Sequence, residues 1–282
     1  MILIKQFYEK FFKTFLFGIN NLKAIILAAG EGTRLRPLTN DKPKCLIELF
    51  GKPLIHRTVD LFQKSGISDI TVVTGYKSDM IQIPNVSYRH NKDFDSTNMI
   101  ETLFCAKDKL EDSVIISYAD IIFQKNVLDI LLNSKEDISV IVDSDWEKYW
   151  KLRFTNPLDD AETLVLDEEG YIQKIGQKTQ SLLEIQGQYI GLMKFQNDGL
   201  NDLVSFYEMT KNQSKQGRNP LNSKLPFKKS YMTDLLQGLI NSGSKIKAIP
   251  IHNGWLEVDS FHDYKIYTKM YDENSLTPFF KI

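Results

Sequence analysis

The chain has 282 residues, enough for one large domain or two small ones, and its 42% apolar and 25% charged residues suit a protein that buries a sizeable core. A formal net charge of −1 leaves no basic excess to neutralise a nucleic-acid backbone, which argues against that class of partner. The two cysteines, Cys45 and Cys105, have no ligand spacing and read as packing residues in a reducing, cytoplasmic compartment.

Residues 1–21 place Ile4, Phe7, Tyr8, Phe11, Phe12 and Phe15 at helical spacing, with Lys5, Lys10 and Lys13 between them. Lys13 breaks the apolar run and no small-residue cleavage site follows, so neither a signal peptide nor a membrane span is expected. A membrane-surface or partner-binding amphipathic helix, a packing arm, and an upstream extension foreign to the native protein all fit this segment. A buried strand is predicted over 23–28, then a helix over 53–64 and strands over 69–74 and 86–89. A helix over 98–110, a strand over 114–118, a helix over 126–132 and a strand over 138–142 follow. Residues 143–186 are rich in aromatics and acids, lack clear periodicity, and read as an insertion over the active edge. Beyond them come a strand over 188–195, a helix over 200–209, a polar mobile loop over 212–229, a helix over 232–241, a strand over 247–251 and a helix over 261–270. Strands alternating with helices predict an α/β domain with a mostly parallel sheet flanked by helices, covering 22–282. Ligands of such sheets sit outside the carboxyl ends of the strands.

At one such end stands Leu27-Ala28-Ala29-Gly30-Glu31-Gly32-Thr33-Arg34-Leu35-Arg36, followed by Lys42-Pro43-Lys44-Cys45-Leu46. Gly30 and Gly32 permit close backbone approach to an anion. Arg34 and Arg36 offer planar forks for phosphate oxygens, and Lys44 is a compact point charge. No Gly-x-x-x-x-Gly-Lys-Ser/Thr run is present, which excludes a P-loop. The pattern predicts nucleoside triphosphate chemistry.

A triphosphate calls for a divalent cation, and Mg²⁺ takes one or two carboxylates besides phosphates and waters. Asp120 lies just beyond the 114–118 strand, and Asp259 closes Gly254-Trp255-Leu256-Glu257-Val258-Asp259. Each also stands where it can cap a following helix. Glu257 shares a strand face with Asp259 and is a third candidate ligand. His56, His90, His252 and His262 show no metal spacing and are assigned surface or packing roles.

The run from Leu27 to Leu46, extended by Gly51-Lys52-Pro53-Leu54-Ile55, resembles the signature of the sugar-nucleotidyltransferase superfamily. That resemblance implies a Rossmann-like, GT-A-type fold, transfer of a nucleotidyl group to a phosphorylated small molecule with release of pyrophosphate, and metal ligation at the positions of Asp120 and Asp259. An acceptor phosphate is already anionic, so no general base is required, and Arg34 is expected on the β- and γ-phosphates with Lys44 between the acceptor phosphate and the α-phosphate. Members begin with Met at the position of Leu22, which makes Leu22 the expected native start. Thr97-Asn98-Met99, Ser117-Tyr118-Ala119-Asp120, Trp146, Arg153-Phe154, Asn156-Pro157-Leu158-Asp159-Asp160-Ala161-Glu162 and Gln186-Gly187-Gln188-Tyr189, with Tyr231-Met232-Thr233, resemble the CTP:phosphoglutamine cytidylyltransferases of capsular phosphoramidate synthesis. By that resemblance the substrates are CTP and a small phosphorylated acceptor, and the protein is a monomer or homodimer. Ala28, Ala29, Gly30, Gly32, Thr33, Arg34 and the turn Thr74-Gly75-Tyr76 then approach the nucleotide. Asn98, Trp146, Arg153, Asp160, Glu162, Gln188, Tyr189 and Trp255 approach the acceptor. An amino-acid acceptor would bring its amine to Asp160 or Glu162 and its carboxylate to Arg153, whereas phosphocholine would use Trp146, Tyr149 and Trp255 to box its ammonium. A phosphocholine or 2-aminoethylphosphonate cytidylyltransferase, a hexose-1-phosphate nucleotidyltransferase using UTP or dTTP, and a silent nucleotide-binding subunit are the competing readings.

Overall fold

The computed structural model describes residues 22–282, and the amphipathic 1–21 segment and its expected boundary lie outside it. β1 (Leu22–Ala28) alternates its side chains between the two faces of the sheet, as a strand must. Ala24, Ile26 and Ala28 enter one core, and Ile25 and Leu27 the other. The short hairpin β2 (Glu48–Leu49) and β3 (Lys52–Pro53) leads into α1 (Leu54–Lys64), whose buried Leu54, Ile55, Val59 and Phe62 face the first core. β4 (Asp69–Thr74) and β5 (Ser87–His90) then extend the sheet on one side of β1.

α2 (Met99–Phe104) is shorter than the helix expected over 98–110. A separate 3-10 turn over Lys107–Lys109 replaces its second half. There Asp108 turns outward to Arg89, and Lys109 to Asp69 at 3.2 Å. β6 (Ser113–Tyr118), β7 (Ile121–Phe123), α3 (Lys125–Asn133) and β8 (Ile138–Asp143) follow. Residues 143–186 carry structure that lacked a periodic signature: α4 (Trp146–Arg153) and the antiparallel pair β9 (Glu162–Leu166) and β10 (Ile172–Lys178). β11 (Gln188–Gln196) feeds α5 (Asn197–Ser214), which outruns the expected 200–209. The polar stretch after it is tied down, since buried Asn219 donates to Leu225 O at 3.0 Å and Ser230 Oγ at 2.8 Å. α6 (Met232–Asn241), β12 (Lys247–Ile251), β13 (Trp255–Glu257) and α7 (Phe261–Asp272) complete the described elements.

The seven-stranded sheet has the order β12-β8-β11-β6-β1-β4-β5. β11 alone runs antiparallel to its neighbours, β6 and β8. α1, α3, α4 and α7 cover one face, while α2, α5 and α6 cover the other. Truncating a central residue such as Ile26 to Ala would cost about 2–5 kcal/mol, because the packed neighbours relax only partly. Register brings Leu27 level with both Val73 and Tyr118, so β1, β4 and β6 end at one edge. Outside the sheet, β13 pairs antiparallel with β7, Glu257 opposite Ile121, and Val258 N–H donates to Asp120 O at 2.9 Å. That small pair carries Asp259 to Asp120 across about half of the sequence. No helix among the described residues is long and apolar enough to cross a membrane.

Candidate active site

Two adjoining cavities open at the carboxyl edge of the sheet. The first, about 280 Å³, is floored by Leu27 to Gly30 and walled by Gly32, Thr33 and Arg34. Phe94, Thr97 and Asn98 close its far side, and Lys44, Asp120 and Asp259 meet at its mouth. Gly32 has φ +69°, and a Cβ there would lie 2.8 Å from the Lys44 Cβ. The missing side chain therefore serves both the left-handed turn and the lysine stem lying against it. Thr39 Oγ1 donates to Gly32 O at 2.8 Å and fixes the loop. Pro43 is extended at φ −68°, and Lys44 starts the 3-10 turn that follows it.

Lys44 Nζ sits between two carboxylates, 2.7 Å from Asp120 Oδ2 and 2.6 Å from Asp259 Oδ1. Arg34 pairs with the other oxygen of Asp259. The remaining oxygen, Asp120 Oδ1, is buried without a hydrogen-bond partner among the described residues. Burial disfavours the Lys44 ammonium, but Asp120, Asp259 and Glu257 outweigh it and hold its pKa above the ordinary lysine value. Burial also works against the Asp259 carboxylate, yet Lys44 and Arg34 overcome it and keep that group below the usual range. Burial pushes the neighbouring Cys45 thiol up to about 12, so it is no nucleophile at neutral pH.

The second cavity, about 180 Å³, shares Met99 and Tyr118 with the first. Asp160, Glu162, Glu257, Gln188, Tyr189 and Trp255 line it, with Trp150, Tyr231 and Thr233. Gly191, at φ +84°, leaves room for Tyr118, because a Cβ there would stand 2.4 Å from its ring. Trp150 Nε1 donates to Asp160 Oδ2 at 3.1 Å, and Gln188 Nε2 donates to Glu162 O at 2.6 Å. Burial raises the Glu162 carboxyl to about 7 against the pull of Lys178. Burial likewise raises Glu257 to about 7, opposed by Arg153 and reinforced by Asp259 and Asp120.

The structure withdraws several expected residues from the cavities. Trp146 is 5% exposed and packs edge-on to Trp150 in the core, so it lines neither cavity. Arg153 is equally buried and saturated by acids: Nε lies 3.0 Å from Asp263 Oδ1, and Nη1 lies 2.7 Å from Glu257 Oε2 in an ion pair without hydrogen-bond alignment. It is not free to meet an acceptor carboxylate. That pair engages Oε2 of Glu257, the third carboxylate expected to bind metal, which itself lines the second cavity. No group of three or more His, Cys, Asp or Glu able to hold an ion occurs among the described residues.

The turn Thr74-Gly75-Tyr76 lies behind the nucleotide loop instead of lining the cavity. Tyr76 N–H donates to Ala29 O at 3.1 Å, and Tyr76 meets Phe94 edge-on. Asn98 lines the first cavity, not the second, and its amide is committed to Met99 N–H and Lys229 O. Phe94, Tyr118 and Thr233 belong to the cavity walls and were not among the expected site residues. Tyr118 and Thr233 stand inside sequence blocks already singled out, whereas Phe94 carried no local signal.

The MobA-like NTP transferase domain matches residues 24–181. The chain is 40% identical over 256 residues, 87% of its length and 98% of the relative's, to a CTP:phosphoglutamine cytidylyltransferase of Campylobacter jejuni. It is 35% identical over 107 residues, 36% of its length and 47% of the relative's, to a choline-phosphate cytidylyltransferase of Streptococcus pneumoniae. Among solved structures, the CTP:phosphocholine cytidylyltransferase of Streptococcus pneumoniae shares the fold with a TM-score of 0.67 at 21% identity, over 89% of this chain and 99% of that one. With a GT-A-like α/β sheet and a glycine, arginine and lysine loop at its active edge, the protein is a nucleotidyltransferase. The chain belongs to the MobA-like NTP transferase family.

Proposed function

We propose that this enzyme transfers CMP from CTP to a small phosphorylated acceptor, L-glutamine phosphate, with release of pyrophosphate. The observation that carries the reading is the meeting of Lys44, Asp120 and Asp259 at the mouth of a glycine-lined cavity that adjoins a second, acid-lined one. Similarity over 87% of this chain and 98% of the phosphoglutamine enzyme supports the base and the acceptor, and the sequence resemblance described above extends the reading to modification of capsular polysaccharide. An acceptor phosphate oxygen forms the new bond to the α-phosphorus of CTP as the bond from that phosphorus to the β-bridging oxygen breaks. The nucleophile is anionic from the start, so the enzyme's task is to hold two polyanions in line. Arg34 binds the β- and γ-phosphates. Lys44 leaves its carboxylates to bridge the α-phosphate and the acceptor phosphate, where its charge counts most as the bond exchange proceeds.

Asp120 and Asp259 fit a hard divalent cation such as Mg²⁺. Their donors are all oxygen, an ammonium already bridges them, and Asp120 Oδ1 is buried and unsatisfied among the described residues. When bound, the ion supplies positive charge against the triphosphate. In the second cavity Asp160 and Glu162 face the acceptor's amine, with Gln188, Tyr189 and Trp255 around them. One observation favours a second reading: no Lys or Arg lines that cavity among the described residues, which suits phosphocholine or 2-aminoethylphosphonate, neither of which carries an α-carboxylate.

The test is pyrophosphate release with each of four NTPs against a panel of phosphorylated acceptors. CTP with L-glutamine phosphate should be the productive pair. Turnover of phosphocholine alone would move the acceptor assignment to the second reading, and preference for UTP would overturn the base.

A further inference from the structure

Arg153 ends α4 and touches neither cavity, yet it is tied to the active turn at two points. Its Nε and Nη2 donate to Asp263 Oδ1 and Oδ2 at 3.0 and 3.2 Å, while Nη1 lies 2.7 Å from Glu257 Oε2. The guanidinium is held in plane by the rings of Tyr149, Trp150 and Phe154, whose centroids are 5.4, 5.5 and 5.2 Å away. Asp263 Oδ2, fixed by this fork, accepts the backbone N–H of Asp259 at 3.1 Å and of Ser260 at 2.9 Å. A third tether comes from the same helix, because Tyr149 Oη accepts Glu257 N–H at 2.8 Å. Capping α7 requires only Ser260 and Asp263, which exchange their own bonds. The fork arriving from α4 adds no bond to that cap. What it adds is a rigid bidentate hold on the carboxylate from which the Asp259 turn hangs.

We propose that Arg153 and Asp263 are positioning residues that set the divalent-metal affinity of the site by fixing the backbone of Asp259. The proposal rests on the reading above that Asp120 and Asp259 receive the metal. Asp259 sits on the short connection between β13 and α7, so its carboxylate direction follows directly from where its own N–H is held. Lysine in place of Arg153 keeps the charge but loses the planar fork, which separates geometry from electrostatics.

The experiment measures Mn²⁺ binding by electron paramagnetic resonance in the presence of CTP for wild type, Arg153→Lys and Asp263→Asn, with melting temperature alongside. Partners that orient metal ligands change affinity by about 10–100-fold, and the lower end is expected for both variants. CTP affinity measured without metal should stay within about twofold, since neither residue lines the nucleotide cavity. The metal concentration for half-maximal pyrophosphate release should rise in parallel, a quantity that a smaller active fraction does not move. A lowered melting temperature with wild-type Mn²⁺ affinity would mean a purely structural role and overturn the proposal. Failure of the wild type to bind Mn²⁺ with CTP would instead overturn the metal reading beneath it. If Arg153→Lys does not fold, Asp263→Asn decides the question alone.

Discussion

The two cavities differ in charge balance although they share a wall. The first is lined by backbone at the ends of β1 and β6, with the cations Arg34 and Lys44 balanced by Asp120 and Asp259. The second is lined largely by side chains of the segment that follows β8, with Asp160, Glu162 and Glu257 as its anions. Across Met99 and Tyr118 the lining changes from cations matched by carboxylates to carboxylates with no lining cation, which favours placing an amine on the second side. In the first region chemistry depends on where the backbone runs. In the second it depends on which side chains escape the core, and Trp146 and Arg153 do not escape it.

The largest disruption of this arrangement should come from its centre. Lys44→Ala and Asp120→Ala should each lower pyrophosphate release by about 10²–10³-fold with the far-ultraviolet circular dichroism unchanged. Near-normal turnover in either would sink the mechanism. Gly32→Ala comes next, because it strains a left-handed residue by about 1–3 kcal/mol and drives a methyl into the Lys44 stem. Its activity should fall at least tenfold, and full activity would mean that the loop is not rigid.

Glu162→Gln probes the acid-lined side. Loss of a charge-assisted contact of about 1.5 kcal/mol should raise the acceptor KM about tenfold with the CTP KM unmoved. A rise in the CTP KM instead would place Glu162 on the wrong side of the partition. The same residue gives a pH signature. Burial raises its carboxyl to about 7, so it loses its negative charge as pH falls through 7, and kcat/KM for an aminated acceptor should decline below that point. For stability the sign is opposite. The folded protein binds this proton more readily than the unfolded chain, whose value is near 4.5, so its contribution to folding weakens as pH rises from 4.5 through 7. Glu162→Gln should therefore flatten the dependence of melting temperature on pH in that window. Smallest of all, Arg36→Gln should change the rate by less than about threefold, since Arg36 is half exposed and pairs with Glu31 at the loop's outer side.

The nucleotide side was legible in sequence for a physical reason. An apolar run fixes β1, and glycines with arginine and lysine just past its end leave few alternatives for what that backbone holds. The carboxylates Asp120 and Asp259 were legible as candidates, but β7 and β13, which unite them, are three residues each and too short for any periodicity to register. On α4 the helical spacing of Trp146, Tyr149, Trp150 and Arg153 identified a common face without saying what that face meets. It meets the core and Asp263, not an open cavity. A buried arginine among three aromatic rings reads the same in sequence whether it waits for a substrate or is already paired. Only its partners, more than a hundred residues further on, distinguish the two.

The β7 and β13 pair has a consequence for the order in which the enzyme is made. Gly30 to Lys44 leaves the ribosome early, and Asp120 follows with β6, so the nucleotide cradle is synthesised well before its second carboxylate. Asp259 emerges only after every strand of the central sheet has been translated. Until then Lys44 has Asp120 as its only partner of the bridging pair. On the proposed mechanism, catalytic competence therefore waits until the sheet that supports it has been translated.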